Sequence, residues 1–493
     1  MALSNIMNIS SNAKGDLSRR NFLKGSLILS LSTADIAVSK AGSISISYVL
    51  GRPTDNSVAL NLISPQDLNG FVEYGFAANK LLKKTDIKFL VSGQPTEFEL
   101  TDLKPNSKIF YRFKTENDVA KISSASTAKQ TAINFVFTVH GDTHPERAGK
   151  MFNEELYKNT LRNIASQNPD FHILLGDDFS IDPIIAKNQA NKTNIEKIYA
   201  THRNWLQIVG EKAPIFLVNG NHEQAAKYLL DGTDSNPAVL AGNARLKYFP
   251  LPAPNSFYSG DSSEIQYLGN PRDYYAWNWG DAQFITLDPY WHSKYAVDNF
   301  AGVTSDAEGG NKKSGATKTQ DLWQVGIGDE QYFWLKKTLE NSSAKYIFIF
   351  THHVMGTGRG AIEVSTNYEW GGQDPKGQTT FKAQRPNWEL PIHDLMVKHK
   401  VSILFQGHDH IFVTQQRDGL IYQSMPNPAD DTFTMFNESA YLSGKKAPNS
   451  GHVRVSVSNS AAKVQYFLSA RSKDSGRKNL QIAHSYSVTP RLI

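Results

Sequence analysis

The sequence predicts two architectures in series, an all-β sandwich followed by an α/β domain whose two-sheet core is flanked by helices. Three observations carry this. Residues 43–130 alternate apolar and polar side chains between turn residues, with no helical period. Beyond residue 131, short apolar runs alternate with stretches of helical period, and five of those runs end on polar turns rich in Gly, Asp, Asn and His. The length of 493 residues, 40% of them hydrophobic, is enough for more than one core.

At the N-terminus, Ser18-Arg19-Arg20-Asn21-Phe22-Leu23-Lys24 precedes a mildly apolar run at 25–38, and Ser39-Lys40-Ala41 offers a small-x-small cleavage site. Residues 1–41 resemble a twin-arginine signal peptide. That resemblance implies the twin-arginine export machinery as a partner and a periplasmic or secreted mature chain. The apolar run is interrupted by Ser30, Ser32 and Asp35 and is too short to span a bilayer, so no integral membrane segment is expected. The leader carries Lys14, Arg19, Arg20, Lys24 and Lys40 against Asp16 and Asp35, which is +3 of the net +5 and leaves +2 for the rest. A body this close to neutral has no electrostatic footprint for nucleic acid as a partner. There is no cysteine, so neither a disulfide nor a thiolate metal site exists.

The sandwich is expected at 43–130, with strands at 44–49 and 58–62. The stretch from Leu103 to Arg112 resembles the late strand of fibronectin III-like domains. Ile109 stands where such domains have a Tyr, which leaves the tyrosine-corner hydrogen bond in question but not the strand. The module either packs without chemistry or lines one side of a cleft.

In the domain at 131–493, the five apolar runs are 135–139, 173–175, 215–218, 346–350 and 401–405. They lead into Gly141-Asp142-Thr143-His144, Gly176-Asp177, Gly220-Asn221-His222-Glu223, Thr351-His352-His353 and Gly407-His408-Asp409-His410. In a sheet whose strands share a direction, all five turns project from one carboxyl edge, where α/β folds place ligands. Carboxylate and amide oxygens with imidazole nitrogens suit hard and borderline divalent ions. Two ions about 4 Å apart can share one carboxylate, activate a water as nucleophile and neutralise phosphoryl charge, while an unligated His protonates the leaving alkoxide. Helices are expected near 153–167, 194–209, 330–341 and 387–398, and closing strands around Val453, Val455 and Val457 and around Val464, Tyr466 and Leu468.

The five motifs, in this order, resemble those of the calcineurin-like metallophosphoesterases: D-x-H, G-D, G-N-H-[DE], H and G-H-x-H. The resemblance implies that Asp142, His144, Asp177 and His410 hold one metal. It likewise implies that Asp177, Asn221, His352 and His408 hold the other and that His222 is the general acid. Tyr274-Tyr275-Ala276-Trp277-Asn278-Trp279-Gly280, Phe284 to Asp288, and Asp329-Glu330-Gln331 leading to Trp334-Leu335 are similar to the purple acid phosphatases within that family. Two departures from that group occur together: His144 stands where it has Gly, and Ser180 where it has the iron-binding Tyr. One ligand is lost and one gained, so two divalent ions (Zn, Mn or Fe) and no tyrosinate colour are expected.

Long polar insertions at 291–328 and 355–390 are expected to shape access to the site or to decorate the surface. Tyr290, Trp291, Arg359, Tyr368 and Trp370 lie in or beside them. Three functions compete. The first is an exported metal-dependent hydrolase of phosphate esters, acid phosphatase-like, with monoesters favoured and diesters as the alternative. The second is a catalytically silent binding or surface protein of the same fold, which would show a broken ligand set. The third is a structural protein whose histidines are incidental, which five ordered motifs argue against.

Overall fold

The computed structural model describes residues 42–132, 134–223, 230–293, 322–354, 359–374 and 376–492. The leader, most of the first insertion and part of the second lie outside them. Residues 42–493 form one compact unit.

The N-terminal region is a β-sandwich without helices, as its alternation predicts. One sheet pairs Ser47–Gly51, Val58–Ile63 and Pro95–Leu100 in antiparallel register. The other is built on Leu68–Gly75 against Lys108–Lys114, with Ser123–Ser126 on the far side of the latter. Lys108–Lys114 shows the period of two directly: Ile109, Tyr111 and Phe113 are buried while the residues between them face outward. Tyr111, not position 109, supplies the phenol of this strand, and its hydroxyl donates to Glu211 O. Arg203, fully buried on the helix Lys192–Gly210, donates to Asn61 Oδ1 at 3.1 Å, Asn61 O at 2.7 Å and Ser47 Oγ at 2.6 Å. The sandwich is therefore bonded to the first helical layer of the second region.

That second region has four layers. The first sheet runs Ile215–Leu217, Phe171–Leu174, Phe135–His140, Gly451–Val457, Ala462–Leu468 and Ile482–Val488, with its first three strands parallel. The second centres on Ala282–Thr286, Tyr346–Thr351, Ile403–Gln406 and Leu420–Ser424, all parallel, with antiparallel strands on either side of these four. The five motif-bearing strands thus do not share one sheet, as the simplest reading has it. They divide three and two across a pair of sheets packed face to face. Aromatic side chains fill the gap between them: Phe137 stacks on Phe171 at 5.5 Å and meets Phe348 at 5.2 Å. Apolar faces of Glu154–Ser166, Lys192–Gly210 and Pro237–Tyr248 cover the outside of the first sheet, and Gly328–Glu340 and Ile392–Lys398 cover the second.

Asn153 caps the first of these helices by accepting from Leu156 N at 3.1 Å. One expected bound shifts, and one helix lies outside the expected set. The helix expected from 387 begins only at Ile392, because Pro391 fixes the entry and occupies the cap position. Pro237–Tyr248, with Asn236 capping it, has a weakly amphipathic sequence that its period does not reveal. Trp370 is fully buried and donates to Tyr422 Oη at 3.0 Å, and Tyr368 is buried beside it, so this part of the second insertion is core and not decoration. No described helix is long and apolar enough to cross a membrane.

Candidate metal centre

Three of the five motifs leave the carboxyl end of their strand through residues with positive φ, which turn the backbone sharply. His144, Asp177, His408 and His410 all take positive φ, at 47°, 59°, 69° and 50°. Non-glycine residues rarely adopt this region, and strain of this kind collects where structure fixes a functional side chain. The glycines give the clearance. A Cβ on Gly407 would lie 2.4 Å from Asp142 Oδ1, and one on Gly220 would lie 2.2 Å from Asp177 Oδ1.

The structure brings together all seven positions expected as ligands, every one buried. On one side, Nε2 of His144 and Nε2 of His410 face each other at 2.9 Å, and Asp142 Oδ2 is 3.1 Å from the latter. On the other, Asn221 Oδ1 lies 3.0 Å from His352 Nε2 and 3.1 Å from His408 Nδ1. Asp177 Oδ2 stands between the two groups, 3.1 Å from His352 Nε2 and 3.5 Å from His144 Nε2. Backbone N–H groups steady the carboxylates: His408 N donates to both oxygens of Asp142 at 2.8 Å, and His222 N to Asp177 Oδ1 at 2.9 Å.

Outer partners fix which ring nitrogens point inward. His352 Nδ1 donates to Leu175 O at 2.7 Å, and His144 Nδ1 to Glu146 Oε1 at 2.8 Å, so both present Nε2 to the centre. Glu223 braces two motif turns at once. Its oxygens accept from Gly220 N at 2.6 Å, Asp178 N at 2.8 Å, Asp177 N at 3.1 Å and Phe179 N at 3.3 Å.

The electrostatics match a cation site. Burial, with the nearby Arg147 and His410, holds His144 well below the usual histidine range, and so neutral with a lone pair to give. Burial opposes ionisation of Asp177, but His352, His222 and His144 outweigh it and hold its carboxyl well below the usual range. Burial likewise disfavours a charged His352, yet Asp177 and Asp142 push its pKa up to about 10. A bound cation would supply the positive charge that such a cluster otherwise takes from protons. The donor set of carboxylate and amide oxygens with imidazoles fits divalent metals, and Asp142, His144 and His410, like Asp142, Asp177 and His352, bring ligand atoms within 4.8 Å of one another.

His222 differs from the rest. Its side chain is 17% exposed, against 2% or less for the neighbouring histidines at 144, 352 and 410. Nδ1 is engaged by Asp182 Oδ2 at 2.6 Å, and Nε2 stays 4.0 Å from Asp177 Oδ2. Burial works against its charge, but Asp177 and Asp182 push its pKa up to about 10. His353, whose role the sequence leaves open, stacks on His408 at 4.3 Å and holds Tyr290 Oη at 3.0 Å through Nδ1. Asp182, Arg147, Glu146 and the bracing role of Glu223 escape sequence reasoning. Only Glu223 had a signal, as the last residue of its motif; Asp182 is five residues from Asp177, with no periodicity to pair it with His222. Ser180 is buried and carries no phenol.

The family model for calcineurin-like phosphoesterases matches residues 135–412. Among solved structures, the chain is similar to purple acid phosphatase PPD1 from yellow lupin (Lupinus luteus) seeds, at 14% identity and a TM-score of 0.58, over 90% of this chain and 74% of that one. It is also similar to PhoD, at 15% identity and a TM-score of 0.57, over 90% and 88% of the two chains. At these identities the likeness is one of fold. No curated protein sequence matches the chain.

Proposed function

The chain belongs to the calcineurin-like phosphoesterase family, and from that premise we propose that it is an exported, dinuclear-metal hydrolase of phosphate esters, with monoesters the favoured class. In this reading residues 1–41 are the export leader, 43–130 a packing sandwich and 131–493 the catalytic domain. One observation carries the chemistry: seven buried donors converge, while His222 stands at their rim with Asp182 on its far nitrogen.

Asp142, His144, Asp177 and His410 would hold one divalent ion, and Asp177, Asn221, His352 and His408 the other. Such ions supply Lewis acidity to the phosphoryl oxygens and acidify the attacking water. The protein's own residues do the rest. Asp182 orients the His222 ring and favours its protonated form. Nε2 of His222 then delivers a proton to the departing alkoxide, which otherwise leaves as a strong base. The silent-protein alternative finds no support in the ligand set, since each of the seven positions carries a donor side chain.

The test is a series of aryl and alkyl phosphate esters of graded leaving-group pKa, assayed with metal content measured. His222→Ala is expected to keep both metals and lose about 10²–10⁴ in rate on poor leaving groups, with much smaller losses on acidic phenols. A plot of rate against leaving-group pKa parallel to that of the wild type refutes the acid role. His353→Ala is the control.

A further inference from the structure

Arg147 closes the short turn Pro145–Arg147 that follows His144, and its guanidinium enters the site. Its Nη2 is 3.2 Å from Nε2 of His222, the nitrogen placed above as the proton donor. The other contacts of this side chain are weak. Nη1 points to Met151 Sδ at 3.4 Å, and a thioether is a poor acceptor. Glu146 Oε1 is 3.5 Å from Nε and already accepts from His144 Nδ1 at 2.8 Å. Arg359 makes the comparison: on the other flank of the centre, its Nη1 is 3.0 Å from Asp409 Oδ1 and 2.5 Å from His408 O.

A guanidinium that is only 19% exposed is thus set against an imidazole whose other nitrogen is committed to Asp182. The two nitrogens lie 3.2 Å apart, so one phosphoryl group placed at this edge is within reach of both the guanidinium and the His222 ring. The edge on which they meet is the open edge of the donor cluster, where His144 and His222 have ring centres 5.0 Å apart.

We propose that Arg147 binds a non-bridging phosphoryl oxygen of the substrate and thereby selects phosphate monoesters over diesters. The inference rests on the phosphoesterase reading and deepens it. A monoester has a second ionisation near pH 6 and is largely dianionic at neutral pH. It keeps a charged oxygen for the guanidinium after the metals have taken their share. A diester is a monoanion, and the oxygen in the corresponding place carries an alkyl or aryl group that no guanidinium N–H can bind as an anion. Arg147 and His222 then divide the work: the first grips an oxygen that stays on phosphorus, the second protonates the one that leaves.

The experiment uses the full-length, metal-loaded protein and the variants Arg147→Met and Arg147→Lys. Turnover is measured on 4-nitrophenyl phosphate and bis(4-nitrophenyl) phosphate, metal content on each variant, and binding of inorganic phosphate and of dimethyl phosphate by calorimetry. Arg147→Met is expected to keep its metals and lose about 10- to 100-fold in kcat/KM on the monoester, the scale of one charged hydrogen bond, and less than about 5-fold on the diester. Phosphate binding should weaken in step with monoester turnover while dimethyl phosphate binding stays unchanged. Arg147→Lys should recover part of the loss, since it restores the charge without the planar fork. Equal losses on both esters, or loss of metal in Arg147→Met, overturn the proposal. A wild type that binds phosphate but hydrolyses neither ester overturns the phosphoesterase reading and the ester selection with it. Turnover of both esters with the same preference in Arg147→Met overturns the role of Arg147 alone.

Discussion

Replacing Gly407 by Ala adds a single methyl group at the point where two motifs touch. The new Cβ would lie 2.4 Å from Asp142 Oδ1, 3.3 Å from His352 Nδ1 and 3.3 Å from Leu175 O. The carboxylate of Asp142 has to retreat by about 1 Å to reach ordinary van der Waals separation. The loop cannot move away instead without cost, because Gly407 N donates to His352 O at 2.8 Å and His408 N to Asp142 at 2.8 Å. Overpacking of this kind costs about 1–3 kcal/mol of stability. A misplacement of about 1 Å in a metal-ligating carboxylate is expected to lower turnover by about 10²-fold or more. The assay is metal content by mass spectrometry, kcat on an aryl phosphate, and urea unfolding, all on the same preparation. Two bound metals with unchanged turnover and stability would refute the reasoning, since Asp142 would then tolerate the displacement that a metal ligand cannot.

Asp177→Asn weakens the one carboxylate placed between both groups of donors, so metal and activity should disappear together; a variant with two metal equivalents and full turnover rules Asp177 out as the bridge. Loading with iron should give no intense visible band, because Ser180 cannot supply a phenolate, and a strong tyrosinate absorption contradicts the ligand set. Glu369 provides a pH test remote from the metals: burial, opposed by Arg385 and the Ile327 N–H, pushes its pKa up to about 7. The folded state therefore holds a proton that the unfolded chain releases near pH 4.5, and stability from this group is present below that value and lost as pH rises to about 7. Glu369→Gln should remove that loss, so its stability relative to wild type in urea should rise by up to about 3 kcal/mol between pH 5 and 8; a difference constant with pH sinks the assignment.

The five motif strands were legible because each is local: an apolar run of three to six residues followed by a polar turn, Gly-led in four of the five, at Phe135–His140, Phe171–Leu174, Ile215–Leu217, Tyr346–Thr351 and Ile403–Gln406. The donor residues were legible for the same reason, since their chemistry is carried by residue type and by position after a strand. The sandwich was legible from its period of two, and Ile109, Tyr111 and Phe113 keep it. Helix bounds were less so where Pro391 overrides the period.

What the sequence by itself determined, then, is which side chains can donate to a cation and on which elements they sit. The tertiary structure alone decided how those elements meet. It splits the five strands between two sheets whose aromatic interiors interlock, and it lets His408 N reach the carboxylate of Asp142 across 266 residues of sequence. It also sets Asp182 on the far nitrogen of His222 and Arg147 on the near one. Periodicity and turn chemistry act between neighbours a few residues apart, whereas these pairings depend on how whole layers pack, and no short window of sequence contains that information.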